Sequence, residues 1–157
     1  MKKNLSTKIA LTVITLLVLI QFIPGQKNIG ETGGPNAIDK VVTVDPQIEQ
    51  ILKTSCYDCH SNNTHYPWYS AIQPVRFIMD KHAVDGKKEI NFSEFSTYTK
   101  KRKLHKLDEV VEMLDEDEMP LKSYTIIHGD AKLSIEQKEQ LKQWVKNAKQ
   151  EISAVAE

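Results

Sequence analysis

Apolar and polar residues fall into three regimes along this chain. The stretch Ile9–Ile23, IALTVITLLVLIQFI, is apolar apart from Thr12, Thr15 and Gln21. Residues 25–44 are rich in Gly, Pro and polar side chains and follow no period, a composition that reads as a flexible linker. From Asp45 onward the apolar positions recur at helical spacing. Asp45 is placed to cap a first helix with Pro46 at its first position, and Ile48, Ile51 and Leu52 line one face. Pro74 opens a second, with Val75, Ile78, Met79 and His82 on one face and Gly86 expected just beyond its end. A third is expected from about Ser96 to Leu114, carrying Leu104, Leu107, Val111 and Leu114. In the last, Ser134 and Gln137 have the spacing of a capping box ahead of Leu141, Trp144, Val145 and Ala148. Between the second and third helices KEINFSEF leaves room for a brief extended piece, but no alternating run supports a sheet. The expected fold class is all-α over residues 45–157, small enough to gain from a cofactor or covalent staple.

Charge changes the picture mainly at the N-terminus. Lys2, Lys3 and Lys8 precede the first apolar run, and from residue 25 on 18 basic residues face 21 acidic ones. A basic start followed by an apolar core reads as an export signal over residues 1–24. Fifteen helical residues rise roughly 22 Å, short of a ~30 Å hydrocarbon core. The flank PGQKNIGETGGP lacks a small-residue cleavage site, so the segment reads as an uncleaved anchor in preference to a removed signal. Either way the lysines stay cytoplasmic and the rest is exported. The expected location is the periplasmic face of the cytoplasmic membrane, or the free periplasm if the signal is cleaved. No basic surplus points to nucleic acid, and no P-loop or Gly-rich dinucleotide turn is present.

The chemistry concentrates in SCYDCHSNNTHYPWYS, which holds both cysteines of the chain. Cys56, Cys59 and His60 lie at i, i+3 and i+4, so a helical turn points all three the same way. That suits covalent haem: two thiols add to the two porphyrin vinyls while the adjacent imidazole reaches the iron. Three other uses are weaker. A zinc site lacks a second ligand pair, since His65, His82, His105 and His128 are scattered. A thioredoxin-like thiol pair belongs to an α/β pattern missing here, and a disulfide would close only a tiny loop. Export agrees with haem c, which is attached outside the cytoplasm.

The iron's second axial position has several claimants. Met119 sits in DEDEMPLKSY, 59 residues after His60, where Pro120 removes a donor and stiffens the loop. A thioether favours reduced iron and raises the potential. Met79 and Met113 fall at core-like helical positions. His82 lies on the apolar face of its helix, either as a buried histidine or as a rival ligand. His128, just before the capping box, is a further rival ligand, or is placed to cap or to contact a propionate, and an open site is the remaining option. His65 and His105 are expected in solvent, and Trp68 is the expected haem wall. The acidic run Asp115–Glu118 reads as a solvated helix stop.

The combination of CYDCHSNNTHYPWY, NFSEF, EMP and HGDAKLS resembles the bacterial haem-binding domain family of small exported proteins over about residues 40–150. More distantly the layout is similar to class I cytochromes c, although the Gly-aromatic helix contact of those proteins is missing. The resemblance implies a cytochrome c-like helical domain around one covalent haem, with Cys56 and Cys59 as thioether anchors, His60 as proximal ligand and Met119 as distal ligand. The implied role is single-electron transfer with periplasmic or membrane redox proteins as partners. A peroxidase-like haem enzyme and a gas or redox sensor with a labile distal ligand are the alternatives.

Overall fold

The computed structural model describes residues 4–155; Lys2 and Lys3 of the basic start lie outside them. Seven α-helices and four 3-10 turns account for the regular structure among the described residues, and no strand is found there. The chain is all-α. The helices are α1 (Leu5–Ile20), α2 (Pro46–Ser55), α3 (Tyr57–His60), α4 (Val75–Glu89), α5 (Lys100–Asp115), α6 (Lys122–Thr125) and α7 (Ile135–Ala154).

Local chemistry sets most of these boundaries. Asp45 caps α2, its carboxylate accepting from the Gln47 and Ile48 amides, and Pro46 takes the first position, where no amide donor is needed. At α7 the Ser134–Gln137 capping box closes in both directions. The α5 helix begins at Lys100, later than its apolar pattern suggests. Asn91 accepts from the Ser93 amide and starts a 3-10 turn over Phe92–Thr97, and Thr99 then caps the helix through the Arg102 amide. The extended piece expected in KEINFSEF is this turn.

The core forms where α5 packs along α7 and α2 crosses onto α7. Leu52, Phe95, Leu107, Leu141 and Val145 are among its most enclosed members, each contributing roughly 1.5–3 kcal/mol by burial. The linker expected over residues 25–44 is not free chain in its second half. Ala37, Ile38 and Val42 belong to the buried core, and the Trp144 indole N–H donates to the Thr43 carbonyl at 2.9 Å. These few apolar positions sit in 3-10 and irregular backbone, so they carry no helical period to betray their burial.

Two further expectations change. Gly86 lies inside α4, where a Cβ would stand 2.7 Å from the Cys59 carbonyl oxygen. Its small size lets α4 approach α3, which its expected role as a helix end did not require. At the N-terminus, α1 buries none of its residues, and among the described residues no helix is long and apolar enough to cross a membrane. The end of α1 is nevertheless tied to the domain. The Gln21 amide donates to the Gln73 carbonyl at 3.2 Å and accepts from the Gln73 amide N–H at 3.0 Å.

Candidate functional site

One cavity of about 420 Å³ lies between α2, α3, α4, α5 and the segment following α5, within the usual size range of small-molecule sites. Cys56, Cys59 and His60 line it from the α3 side. Met119, Pro120, Leu121 and Tyr124 line it from the loop and α6, and His82 and Met113 add to its walls. The two cysteines and the histidine come together because α3 is a single turn started by the end of α2 and pressed against α4 through Gly86.

His60 is held tightly. Its Nδ1 sits 2.9 Å from the Gly86 carbonyl and 3.1 Å from that of Ile90. Both partners are acceptors, so Nδ1 carries the proton and donates. The neutral ring keeps its Nε2 lone pair for a metal, with the tautomer fixed by the backbone behind it. Burial lowers the His60 pKa against the opposing pull of those two carbonyls, which favours the neutral, ligating form. Phe92 stands edge-on to the ring.

Both thiols are free. Burial pushes Cys56 up to about 12, with the neighbouring Cys59 adding to the effect. Cys59 rises to about 11, again by burial first and then through Asp58. A reactive redox thiol needs the opposite environment, one that stabilises thiolate. These are uncharged groups on an apolar wall.

A polar network frames the α3 turn. The Ser61 hydroxyl donates to the Tyr57 carbonyl at 2.7 Å, and the Thr64 hydroxyl donates to the Asp58 carbonyl at 2.6 Å. The Asn28 side-chain amide reaches the Ser61 carbonyl and the Thr64 hydroxyl, both at 2.9 Å. Asn62 donates to Glu94 at 2.8 Å, and Asn91 donates to Asn62 at 2.8 Å. The SNNT and NFSEF motifs are therefore two halves of one hydrogen-bonded frame. Asp58, between the two cysteines, accepts from the Tyr124 hydroxyl at 2.7 Å and the His65 amide at 2.9 Å. Burial first, and then the Asp58 carboxylate, raise the Tyr124 pKa, so the phenol stays protonated and donating.

Met119 is delivered by the stop of α5. Asp117 adopts a left-handed φ of 58°, which Asp tolerates better than most residues. The amides of Glu118 and Met119 then both return to the Met113 carbonyl, at 3.1 and 3.2 Å. Asp115 pairs with Lys142 at 2.9 Å, and Asp117 pairs with Lys138. The acidic run thus ties a solvated helix end to α7.

Three sequence expectations are corrected or narrowed. Trp68 is 80% exposed and is not among the cavity-lining residues, because the Trp68–Ala71 turn projects it outward; it is no haem wall. His128 also lies off the cavity wall. Its Nε2 meets the Tyr69 hydroxyl at 2.6 Å, and its ring stacks on Tyr124 at 4.3 Å. It therefore acts behind Tyr124, away from any axial position. His82 does line the cavity. His65 is exposed, and His105 is exposed and pairs with Glu109. Sequence reasoning missed Asp58, Tyr124 and Gly86, whose importance arises from contacts across long chain separations.

Among the described residues no cluster of three or more His, Cys, Asp or Glu side chains is arranged to hold a bare metal ion. The donor set suits a macrocyclic metal complex better, with one preoriented imidazole, two neutral thiols and an apolar slot faced by a thioether. The comparisons agree. A family model described as a haem-binding domain matches residues 15–147, most of the chain, and the chain belongs to that family. Neither a curated protein nor a solved structure matches it.

Proposed function

We propose that this member of the haem-binding domain family is an exported mono-haem c-type protein that carries single electrons. The supporting observation is the convergence of Cys56, Cys59, His60 and Met119 on one cavity. In this reading Cys56 and Cys59 would hold the haem covalently, each thiol being able to add across a vinyl group with its hydrogen going to the neighbouring carbon and no net oxidation. Bound haem would supply a one-electron ferric/ferrous couple. The chain does the rest. His60 would offer Nε2 because Nδ1–H is held by Gly86 and Ile90, Met119 would offer its thioether from the loop after α5, and the apolar walls would limit water. No group of the substrate-transforming kind is required, and the proposed partners are periplasmic or membrane redox proteins.

The N-terminal segment is proposed to remain as an anchor on the periplasmic face of the cytoplasmic membrane. Support comes from the hydrogen bonds joining residues 21–25 to the domain and from a family match that already begins at residue 15, inside the apolar run. A cytochrome c-like arrangement is proposed from the order of attachment turn, Met-Pro loop and C-terminal helix.

A second reading, a peroxidase-like enzyme or a sensor with a labile distal ligand, draws on the presence of His82 and Met113 in the same cavity as Met119. Optical spectra of the matured protein, oxidised and reduced, separate the two. The carrier reading expects a low-spin spectrum that does not respond to carbon monoxide or peroxide. A high-spin spectrum with ready binding of either would overturn it. Maturation without covalently retained haem would remove both readings.

A further inference from the structure

Several of the domain's exposed apolar side chains lie where α1 joins it. Phe22 is 80% exposed and Ile23 46%. Both follow Gln21, which is hydrogen-bonded in both directions to Gln73. The neighbours of Gln73 are equally bare, with Ile72 at 45% and Phe77 at 40%, and Trp68 stands at 80% on the preceding turn. From Tyr66 to Val75 the chain carries no charged residue. The Tyr69–His128 hydrogen bond brings the exposed Ile126 and Ile127 towards the same turn. The α5–α7 face differs sharply, being covered by the Lys138–Asp117, Lys142–Asp115 and Lys149–Asp108 ion pairs.

The join is also stiff. The Gln73 side-chain amide donates to the Ile23 carbonyl at 3.2 Å, and Arg76 donates to the Gly25 carbonyl at 2.9 Å. A Cβ on Gly25 would run into the Arg76 and Asp80 side chains, so this segment lies flat against α4. The domain is therefore not swinging on a loose tether, and one fixed face accompanies α1.

Length then decides what that face meets. The 16 residues of α1 rise about 24 Å, roughly 6 Å short of a ~30 Å hydrocarbon core. A short apolar helix is accommodated by thinning the bilayer or by drawing its flanks into the boundary. Here the flank is a rigid apolar rim with a tryptophan, the side chain most at home between headgroups and acyl chains.

We infer that the face bearing Trp68, Ile72 and Phe77 is a lipid-contacting surface, seated in the headgroup–hydrocarbon boundary and completing the membrane association that α1 begins. The inference rests on the reading of α1 as a retained anchor. The domain is then held in one orientation, with the ion-paired α5–α7 face directed to the aqueous phase.

Photo-crosslinking of the full, haem-loaded chain tests this. Benzoylphenylalanine replaces Trp68, Ile72 or, as a control on the ion-paired α5–α7 face, the exposed Lys146. Each protein is reconstituted with phosphatidylcholine–phosphatidylglycerol vesicles, floated, irradiated and analysed by mass spectrometry for lipid adducts. The expected result is co-flotation of all three, with lipid adducts at positions 68 and 72 and only background at 146. Flotation with no lipid adduct at 68 or 72, or with adducts to protein alone, overturns the inference while leaving the anchor in place. Failure to float overturns the anchor, and the inference with it.

Discussion

The two walls of the cavity are built to different standards. On the α3 side, His60 is locked by two carbonyls, the turn is braced by Ser61, Thr64 and Asn28, and Gly86 sets the spacing to α4. On the loop after α5, Met119 is placed by backbone hydrogen bonds at the helix end and by the ion pairs that tie Asp115 and Asp117 to α7, and His82 and Met113 share the cavity with it. The contrast teaches that the imidazole is held in one rigid geometry, whereas the thioether sits on a flexible side chain that shares the cavity with His82 and Met113. A thioether on three rotatable bonds adapts to its surroundings; an imidazole pinned at Nδ1 does not.

The comparison breaks most completely at the thiols. Replacing both, Cys56→Ala with Cys59→Ala, is expected to abolish haem retained through denaturing electrophoresis, read by haem staining; persistent covalent haem would refute attachment there. Met119→Ala probes the looser wall. It should convert a low-spin spectrum to high-spin and open the iron to carbon monoxide, with His82→Ala leaving the spectrum unchanged. The reverse pattern would move the distal assignment to His82.

Smaller effects sharpen the contrast. Gly86→Ala adds a methyl 2.7 Å from the Cys59 carbonyl, and separating α3 from α4 should cost about 1–3 kcal/mol, outweighing the ~1 kcal/mol that Ala contributes in a helix. Urea denaturation measures the balance, and a raised midpoint would show that the two helices separate freely. Tyr124→Phe leaves Asp58 with one fewer donor across the cavity. The expected loss is about 1 kcal/mol, read from thermal unfolding, and a wild-type melting curve would mean that Asp58 recovers its bond from water.

Much of this was legible in sequence because it is local. Asp45 and Pro46 starting α2, and Ser134 and Gln137 starting α7, act over three residues or fewer, and the buried stripe of α7 follows from helical period. The Cys-x-x-Cys-His spacing likewise declares itself within five residues. What escaped notice acts across the chain. Asp58 meets Tyr124 66 residues on, and Trp144 meets Thr43 across 101 residues. Neither partner has a pattern that announces the other. The burial of Ile38 and Val42 was hidden for the same reason, since non-helical backbone gives buried positions no period.

The amino-acid sequence by itself determined the helices, their caps and the presence of the Cys-x-x-Cys-His motif, because propensity, capping and i, i+4 geometry are short-range. Only the tertiary structure decided the wall each candidate joins. Met119 and His82 face the cavity, His128 backs Tyr124, and Trp68 stands in the open. Those placements depend on how α3, α4 and the end of α5 pack together, and packing is settled by contacts between residues far apart in the chain.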